Sequence, residues 1–221
     1  MPHVVDEHST ASIDPAFVTL ARSWMQNPAQ QLLSFIWLTY ENMRALPPYV
    51  HTKDLERSIT ELLERRVHDV MTGDEPFYFQ HSPFEHETMK APPAQPPEYD
   101  LAFVLRANER IMWPLEAKVL ETPNRVAKYI RDVKCEFLTC RYAPFSSSGA
   151  MLGYLLTGQP DDAFAAVSRK LSCKLEPVPE HPTKPNRLSH HQRKVPAGKP
   201  YPAEFGCFHI ILEYPDLSRA T

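Results

Sequence analysis

Apolar residues recur at helical spacing through the first third of the chain, separated by polar positions. Asp14-Pro15 and Asn27-Pro28 each have the form of a helix cap followed by a first-turn proline, and Pro47-Pro48 ends the second pattern. A third amphipathic segment closes before Gly73. The pattern therefore predicts helices at residues 15–26, 28–43 and 52–71. We expect residues 1–50 to form a helical N-terminal extension.

Beyond residue 76 the apolar residues come in short runs, which are typical of strands that alternate with helices. The runs predict strands at residues 77–81, 99–106, 111–120, 149–156 and 205–214, with helices at 123–137 and 160–175. Residues 107–110 form a tight turn, so the second and third strands are expected to pair as a hairpin. Pro114 cannot donate a hydrogen bond, which predicts that the third strand is bulged or locally at an edge there.

Two proline-rich stretches are expected to be loops. One is the exposed segment 92–97, and the other is a long basic loop over residues 177–202. The order of the remaining elements predicts a mixed α/β domain over residues 51–221, with a central mixed sheet flanked by helices.

The composition is that of an ordinary globular protein, with 43% hydrophobic and 23% charged residues. No apolar run approaches the roughly 20 residues that cross a bilayer, and the N-terminus lacks a signal-peptide pattern. We therefore expect a cytoplasmic protein with no membrane partner. The net charge of −3 requires any nucleic-acid contact to rest on a local basic patch. The four cysteines form no CxxC pair and are expected to be reduced, mostly buried thiols.

The most informative segment is Asp100 followed, after 15 residues, by Glu116-Ala117-Lys118. Successive side chains of a strand point to opposite faces, so Glu116 and Lys118 share one face. The predicted hairpin brings Asp100 towards Glu116. Paired carboxylates form a hard oxygen site suited to Mg²⁺, and a neighbouring lysine can orient or deprotonate a water molecule. The pattern is that of a phosphodiester-hydrolysis site, and we expect Lys118 to be partly exposed and dispensable for stability.

These residues resemble the PD-(D/E)xK signature of the restriction-endonuclease-like nuclease superfamily, although Tyr99 stands where a proline is usual. The predicted order of helix, three strands, helix and strand over residues 52–158 also resembles the core of that superfamily. Its first core helix often carries an acidic residue, and the segment from Leu55 to Leu63 fits that pattern. Glu56 lies at the edge of the apolar stripe of this helix, whereas Glu61 and Glu64 point away from it. A C-terminal helix, the basic loop and a strand follow in residues 159–221.

The resemblance implies a metal-dependent nuclease that uses Mg²⁺, with Mn²⁺ as a substitute. Asp100, Glu116 and the Ala117 carbonyl would ligate the metal, and Lys118 would position the attacking water. Glu56 would hold a second metal or a metal-bound water. DNA is favoured over RNA as substrate. Small members resembling this chain often act as effectors of bacterial anti-phage defence, with a regulatory protein or homo-oligomerisation as restraint.

Basic residues beside this segment are candidates for contact with a phosphate backbone. Arg125, Lys128, Arg131 and Lys134 recur every third residue, and Arg193-Lys194 lie in the predicted basic loop. A solvated helix face explains the first set equally well. Two other functions also stay open: a non-catalytic binding or assembly subunit with a nuclease-like fold, and an interaction module unrelated to nucleases in which Glu116 and Lys118 are surface residues.

Overall fold

The computed structural model describes residues 15–24, 28–45, 54–89 and 95–219. The predicted cap at Asp14, the stop at Pro47-Pro48, the helix start at Thr52 and the first part of the 92–97 loop lie outside these ranges. Helices α1 (Pro15–Trp24), α2 (Pro28–Ala45) and α3 (Leu55–Val67) match the three predicted helices, with α3 ending earlier than expected. The side chain of Asp54 caps α3 by accepting a hydrogen bond from the Arg57 amide.

Seven strands form one mixed sheet in the order β1-β2-β3-β4-β7-β6-β5. The strands are β1 (Phe77–His81), β2 (Leu101–Leu105), β3 (Met112–Leu120), β4 (Ser148–Leu155), β5 (Glu176–Pro177), β6 (Asn186–Gln192) and β7 (Glu204–Glu213). Antiparallel pairing joins β1, β2 and β3, so the predicted hairpin is confirmed. Parallel pairing joins β3, β4 and β7, and β6 and β5 complete the sheet in antiparallel fashion. The mixed α/β class is therefore confirmed.

Both faces of the sheet are covered. Helices α1, α2 and α3 pack on one face, where Ile36 belongs to the same core as Phe103 and Trp113. Helices α4 (Ala127–Asp132) and α5 (Pro160–Leu171) pack on the other face. A π-helical turn, Val133–Phe137, continues α4, and a short 3₁₀ helix, Pro215–Arg219, ends the described chain. Within the described ranges, no helix combines the length and hydropathy needed to cross a bilayer.

The predicted loop over residues 177–202 is wrong over its middle, where β6 pairs along its length with β7, from Asn186 opposite Ile210 to Gln192 opposite Glu204. Strand β6 is hard to recognise because its buried positions, Asn186 and Ser189, are polar. Its pairing depends on main-chain hydrogen bonds and on side-chain hydrogen bonds rather than on an apolar stripe.

Pro114 lies in unbroken register with β2, so the expected bulge is wrong, whereas the alternative, a position locally at an edge, is confirmed on the side of β4. The Leu105 amide donates to the Ile111 carbonyl at 3.0 Å, so odd-numbered residues of β3 hydrogen-bond to β2. The nitrogen of Pro114 therefore faces β4, and pairing with β4 begins one residue later, at Leu115. The N–H that proline lacks would therefore lie before the first paired residue of β3 and β4, so its absence breaks no hydrogen bond between these strands.

Gly158 lies in the turn between β4 and α5, where the Pro123 ring packs against it. Its φ is +90°, and a Cβ there would lie 2.7 Å from Cδ of the rigid Pro123 ring. Gly198 has a φ of +75° with open space around it. We expect Gly158→Ala to lower the free energy of unfolding by about 2 kcal/mol and Gly198→Ala by about 1 kcal/mol, as measured by urea denaturation. An equal loss of unfolding free energy in the two variants would show that the clash with Pro123 adds nothing to the cost of the positive φ.

Candidate functional site

The candidate site lies where β3 extends beyond the end of β2. Strand β2 starts at Leu101, opposite Leu115, whereas β3 continues to Leu120 beside β4. The β3 amides that point towards β2 beyond this register have no strand to receive them. The geometry leaves a short stretch of central strand open to side chains that can accept hydrogen bonds.

Two predicted acidic residues accept those amides. Asp100 Oδ2 accepts from the Ala117 amide at 2.7 Å, and Glu56 Oε2, from α3, accepts from the Val119 amide at 3.0 Å. Asp100 directly precedes β2, so its side chain replaces the next main-chain acceptor of the ladder. Both carboxylates are thereby fixed against the backbone of the strand that carries Glu116.

The Lys118 ammonium lies at the centre of the site. It donates to Glu116 Oε1 at 2.7 Å, to the Ala117 carbonyl at 2.6 Å and to Asp100 Oδ2 at 3.3 Å. Glu56 Oε1 lies 3.5 Å from Nζ. The structure therefore brings together the four side chains predicted from the sequence, and Glu116 and Lys118 share a face as expected.

Asp132, at the end of α4, is a fourth carboxylate that sequence reasoning missed. Its Oδ2 lies 3.4 Å from Lys118 Nζ, and its Oδ1 accepts from Arg131 Nε at 3.0 Å. Asp132 is only 5% exposed. The available signal was its position three residues after the buried Tyr129, which places an acidic side chain on the apolar face of a helix that is otherwise basic.

Burial dominates the electrostatics of the cluster. Glu116 and Lys118 are each 7% exposed, so the expectation of a partly exposed lysine is wrong. Burial, and then the charge of Asp100, raises the pKa of Glu116 well above its usual range. Burial alone would lower the pKa of Lys118, but the neighbouring carboxylates outweigh it and the pKa is raised. Removal of this ammonium would leave buried carboxylates without a counter-charge, so Lys118 also carries stability.

The donor set suits a hard cation, because it consists of carboxylate oxygens and one main-chain carbonyl. Glu116 Oε2 is buried and has no hydrogen-bond partner, so one oxygen of the central carboxylate has unused acceptor capacity. Among the described residues, no group of three or more His, Cys, Asp or Glu side chains is arranged to hold a metal ion. The oxygen atoms of Asp100, Glu116 and Ala117 converge instead on the Lys118 ammonium.

A cleft of about 410 Å³ opens onto the cluster. It is lined by Asp54, Glu56, Arg57, Thr60, His81, Ser82, Glu98 and Asp100. The side chains of Glu56 and Asp100 are 37% and 32% exposed, so these two acids connect the buried cluster to solvent. Asp132 is not among the lining residues and lies behind the cleft.

Three of the candidate basic residues lie on the surface, and one of them contacts the cluster. Arg125, Lys128 and Arg131 are exposed, and Arg131 is linked to the cluster through Asp132. Helix α4 begins at Ala127, later than predicted, so Arg125 precedes it. The Arg125 guanidinium lies 3.8 Å from the Glu121 carboxylate. Lys194 is also exposed. Contact of these residues with a phosphate backbone stays a prediction.

Arg193 does not lie on the surface, and its expected contact with nucleic acid is wrong. The guanidinium is buried and donates to the carbonyls of Phe137, Tyr142, Ala143 and Ser146 at 2.7–3.0 Å. All of these acceptors lie between α4 and β4. Arginine can bind several carbonyls at once because its guanidinium carries five N–H donors in a fixed planar arrangement. Arg193 therefore holds the connecting segment in place, and its donors face main-chain carbonyls rather than a ligand.

The connecting segment in turn holds the backbone before Asp100. The Tyr142 hydroxyl donates to the Glu98 carbonyl at 2.5 Å, and the Ala143 amide donates to the Tyr99 hydroxyl at 3.0 Å. Tyr99, at the position where the resemblance would place a proline, therefore has a structural role. Its hydroxyl links the main chain next to Asp100 to the connecting segment.

The chain matches no protein-family model, and the searches of curated proteins and of solved structures found no match either. The function of the protein must therefore be inferred from the geometry of the site.

Glu85 makes the stability of this region dependent on pH. It is 3% exposed, accepts from the Tyr99 hydroxyl at 2.6 Å, and has a pKa that burial raises to about 7. The folded protein binds this proton more tightly than the unfolded chain, so the stabilising contribution is complete below about pH 4.5 and is lost as the pH rises through 7. We expect the free energy of unfolding to fall by up to about 3 kcal/mol across this window.

Urea denaturation between pH 5 and 8 measures this effect, with Glu85→Gln as the comparison. The neutral amide cannot ionise, so the variant should lose most of the decline with pH. A decline of the same size in both proteins would show that another group is responsible.

Proposed function

We propose that the protein is a metal-dependent nuclease with a restriction-endonuclease-like core. The observation that carries the proposal is the convergence of Glu56, Asp100 and Glu116 on Lys118, at the point where β3 extends beyond β2. The order α3, β1, β2, β3, α4, β4 supports it, because it agrees with the core order of that superfamily. The buried, unpartnered Glu116 Oε2 supports the presence of a cation in the working protein.

Asp100 Oδ2, Glu116 and the Ala117 carbonyl are the atoms that would hold Mg²⁺, or Mn²⁺ in its place. The cation would supply Lewis-acid stabilisation of charge on the phosphoryl group. Lys118 orients the attacking water by hydrogen bonding from Nζ and adds positive charge beside the phosphate. Glu56, at the mouth of the cleft, accepts hydrogen bonds from water or contributes oxygen to a second cation.

The substrate in this proposal is nucleic acid, with DNA favoured over RNA. Arg131 is exposed and contacts Asp132 of the cluster, and Arg125, Lys128 and Lys194 are also exposed. The overall charge of −3 opposes a polyanion, so binding depends on these local contacts and weakens as salt rises. A role as effector of bacterial anti-phage defence, restrained by a partner protein or by self-association, is part of the proposal by analogy of fold.

A non-catalytic binding or assembly subunit is the second candidate. The closed arrangement around Lys118 favours it, because an ammonium group that already contacts all four carboxylates makes a self-contained structural cluster. The two candidates differ in whether a divalent cation enters the cluster and whether phosphodiester bonds are cut.

Glu116→Gln tests catalysis with less risk to the fold than substitution of Lys118. The amide keeps an oxygen for Lys118 and removes a buried charge, so the free energy of unfolding should change by less than about 1 kcal/mol. We expect cleavage to fall by about a hundredfold or more, because a metal ligand is lost. The assay compares circular and linear double-stranded DNA, single-stranded DNA and structured RNA, each with Mg²⁺, Mn²⁺ or EDTA.

Glu64→Gln is the matched control, because Glu64 lies on α3 and pairs with His68 away from the cluster. Its cleavage rate should equal that of the wild type. Equal cleavage by Glu116→Gln and the wild type would overturn the proposed active site. A folded wild type that cuts no substrate would favour the assembly subunit.

A further inference from the structure

The atoms proposed to bind the divalent cation are the atoms that Lys118 already contacts. Glu116 Oε1, the Ala117 carbonyl and Asp100 Oδ2 all lie within 3.3 Å of Nζ. The ammonium therefore occupies the position that a cation shared by these three oxygens would take. One position cannot hold two positive charges, because their repulsion at contact distance in a buried site is large.

Asp132 offers the ammonium another carboxylate. It approaches Nζ from α4, whereas the proposed ligands come from β3 and from the start of β2. Its side chain is 7% exposed and lies off the cleft lined by Glu56 and Asp100. A lysine drawn towards Asp132 keeps a buried counter-charge when it leaves the oxygen atoms of Asp100 and Glu116.

Local geometry holds Asp132 in this place. Its second oxygen accepts from Arg131 Nε, so the carboxylate is held between a surface guanidinium and the buried ammonium. The π-helical turn begins at the next residue, where the Leu138 amide donates to the Val133 carbonyl at 3.0 Å. Such turns widen a helix and often accompany functional sites.

We propose that Lys118 and the divalent cation compete for the same three oxygen atoms, and that Asp132 is the positioning residue that receives the ammonium when the cation binds. This inference rests on the proposed function, because it assumes a cation at Asp100 and Glu116. It assigns Asp132 a role towards Lys118 and not towards the metal itself.

Calorimetric titration of Mn²⁺ into four proteins tests the inference without reference to activity: wild type, D132N, K118M and the double variant. D132N should bind Mn²⁺ about tenfold more weakly, because the displaced ammonium loses its buried counter-charge. K118M should bind about tenfold more tightly, because the competing cation is gone. In the K118M background, D132N should change the affinity by less than about twofold.

An equal weakening by D132N in both backgrounds would overturn the inference, because Asp132 would then act on the cation directly. Asp162→Asn, an exposed substitution on α5, is the matched control and should bind as the wild type does. If K118M does not fold, D132E decides in its place: recovery to within about twofold of the wild type supports the role of the carboxylate, and no recovery overturns it.

Wild-type protein that binds no Mn²⁺ would overturn both the proposed metal centre and this inference. Wild-type binding with no effect of D132N would overturn the inference alone.

Discussion

The burial of the Lys118 ammonium among carboxylates is the interaction on which the site depends. Charges removed from water are stable only when partners satisfy them closely, and four carboxylates around one ammonium leave an excess of negative charge. Burial, and then the charge of Asp100, raises the pKa of Glu116, and its second oxygen has no hydrogen-bond partner. The cluster is thus held together by a single cation, the Lys118 ammonium, which does not use all of the carboxylate oxygens.

The unequal lengths of two strands create the place for this cluster. The amides of a central strand normally donate hydrogen bonds to both neighbouring strands, but β3 continues past the first residue of β2. Asp100 and Glu56 accept the amides of Ala117 and Val119. The same Asp100 oxygen, Oδ2, also accepts from Lys118, whereas Glu56 turns its other oxygen, Oε1, towards Nζ. The same hydrogen bonds that finish the sheet therefore orient two of the acids, so fold and site share one geometric cause.

Sequence reasoning reached the parts of the site that follow from strand periodicity. A period of two places Glu116 and Lys118 on one face whatever the surrounding fold, and the hairpin turn brings Asp100 to them. Asp132 was missed because its helical spacing from Tyr129 indicates at most a buried acid, and its contact with Lys118 depends on how α4 crosses the sheet. Arg193 was misplaced because a buried arginine that binds main-chain carbonyls has the same sequence signature as one that binds phosphate.

The position of α4 depends on strands outside the segment that resembles a nuclease core. A helix of six residues is too short to be stable alone, so tertiary contacts must hold it. The Tyr129 hydroxyl meets His209 Nδ1 at 2.9 Å, and His209 Nε2 meets the Ser189 hydroxyl at 2.8 Å. Burial lowers the pKa of His209 to about 3, so this connection from α4 through β7 to β6 stays uncharged at neutral pH. The C-terminal strands therefore fix the helix that brings Asp132 to Lys118.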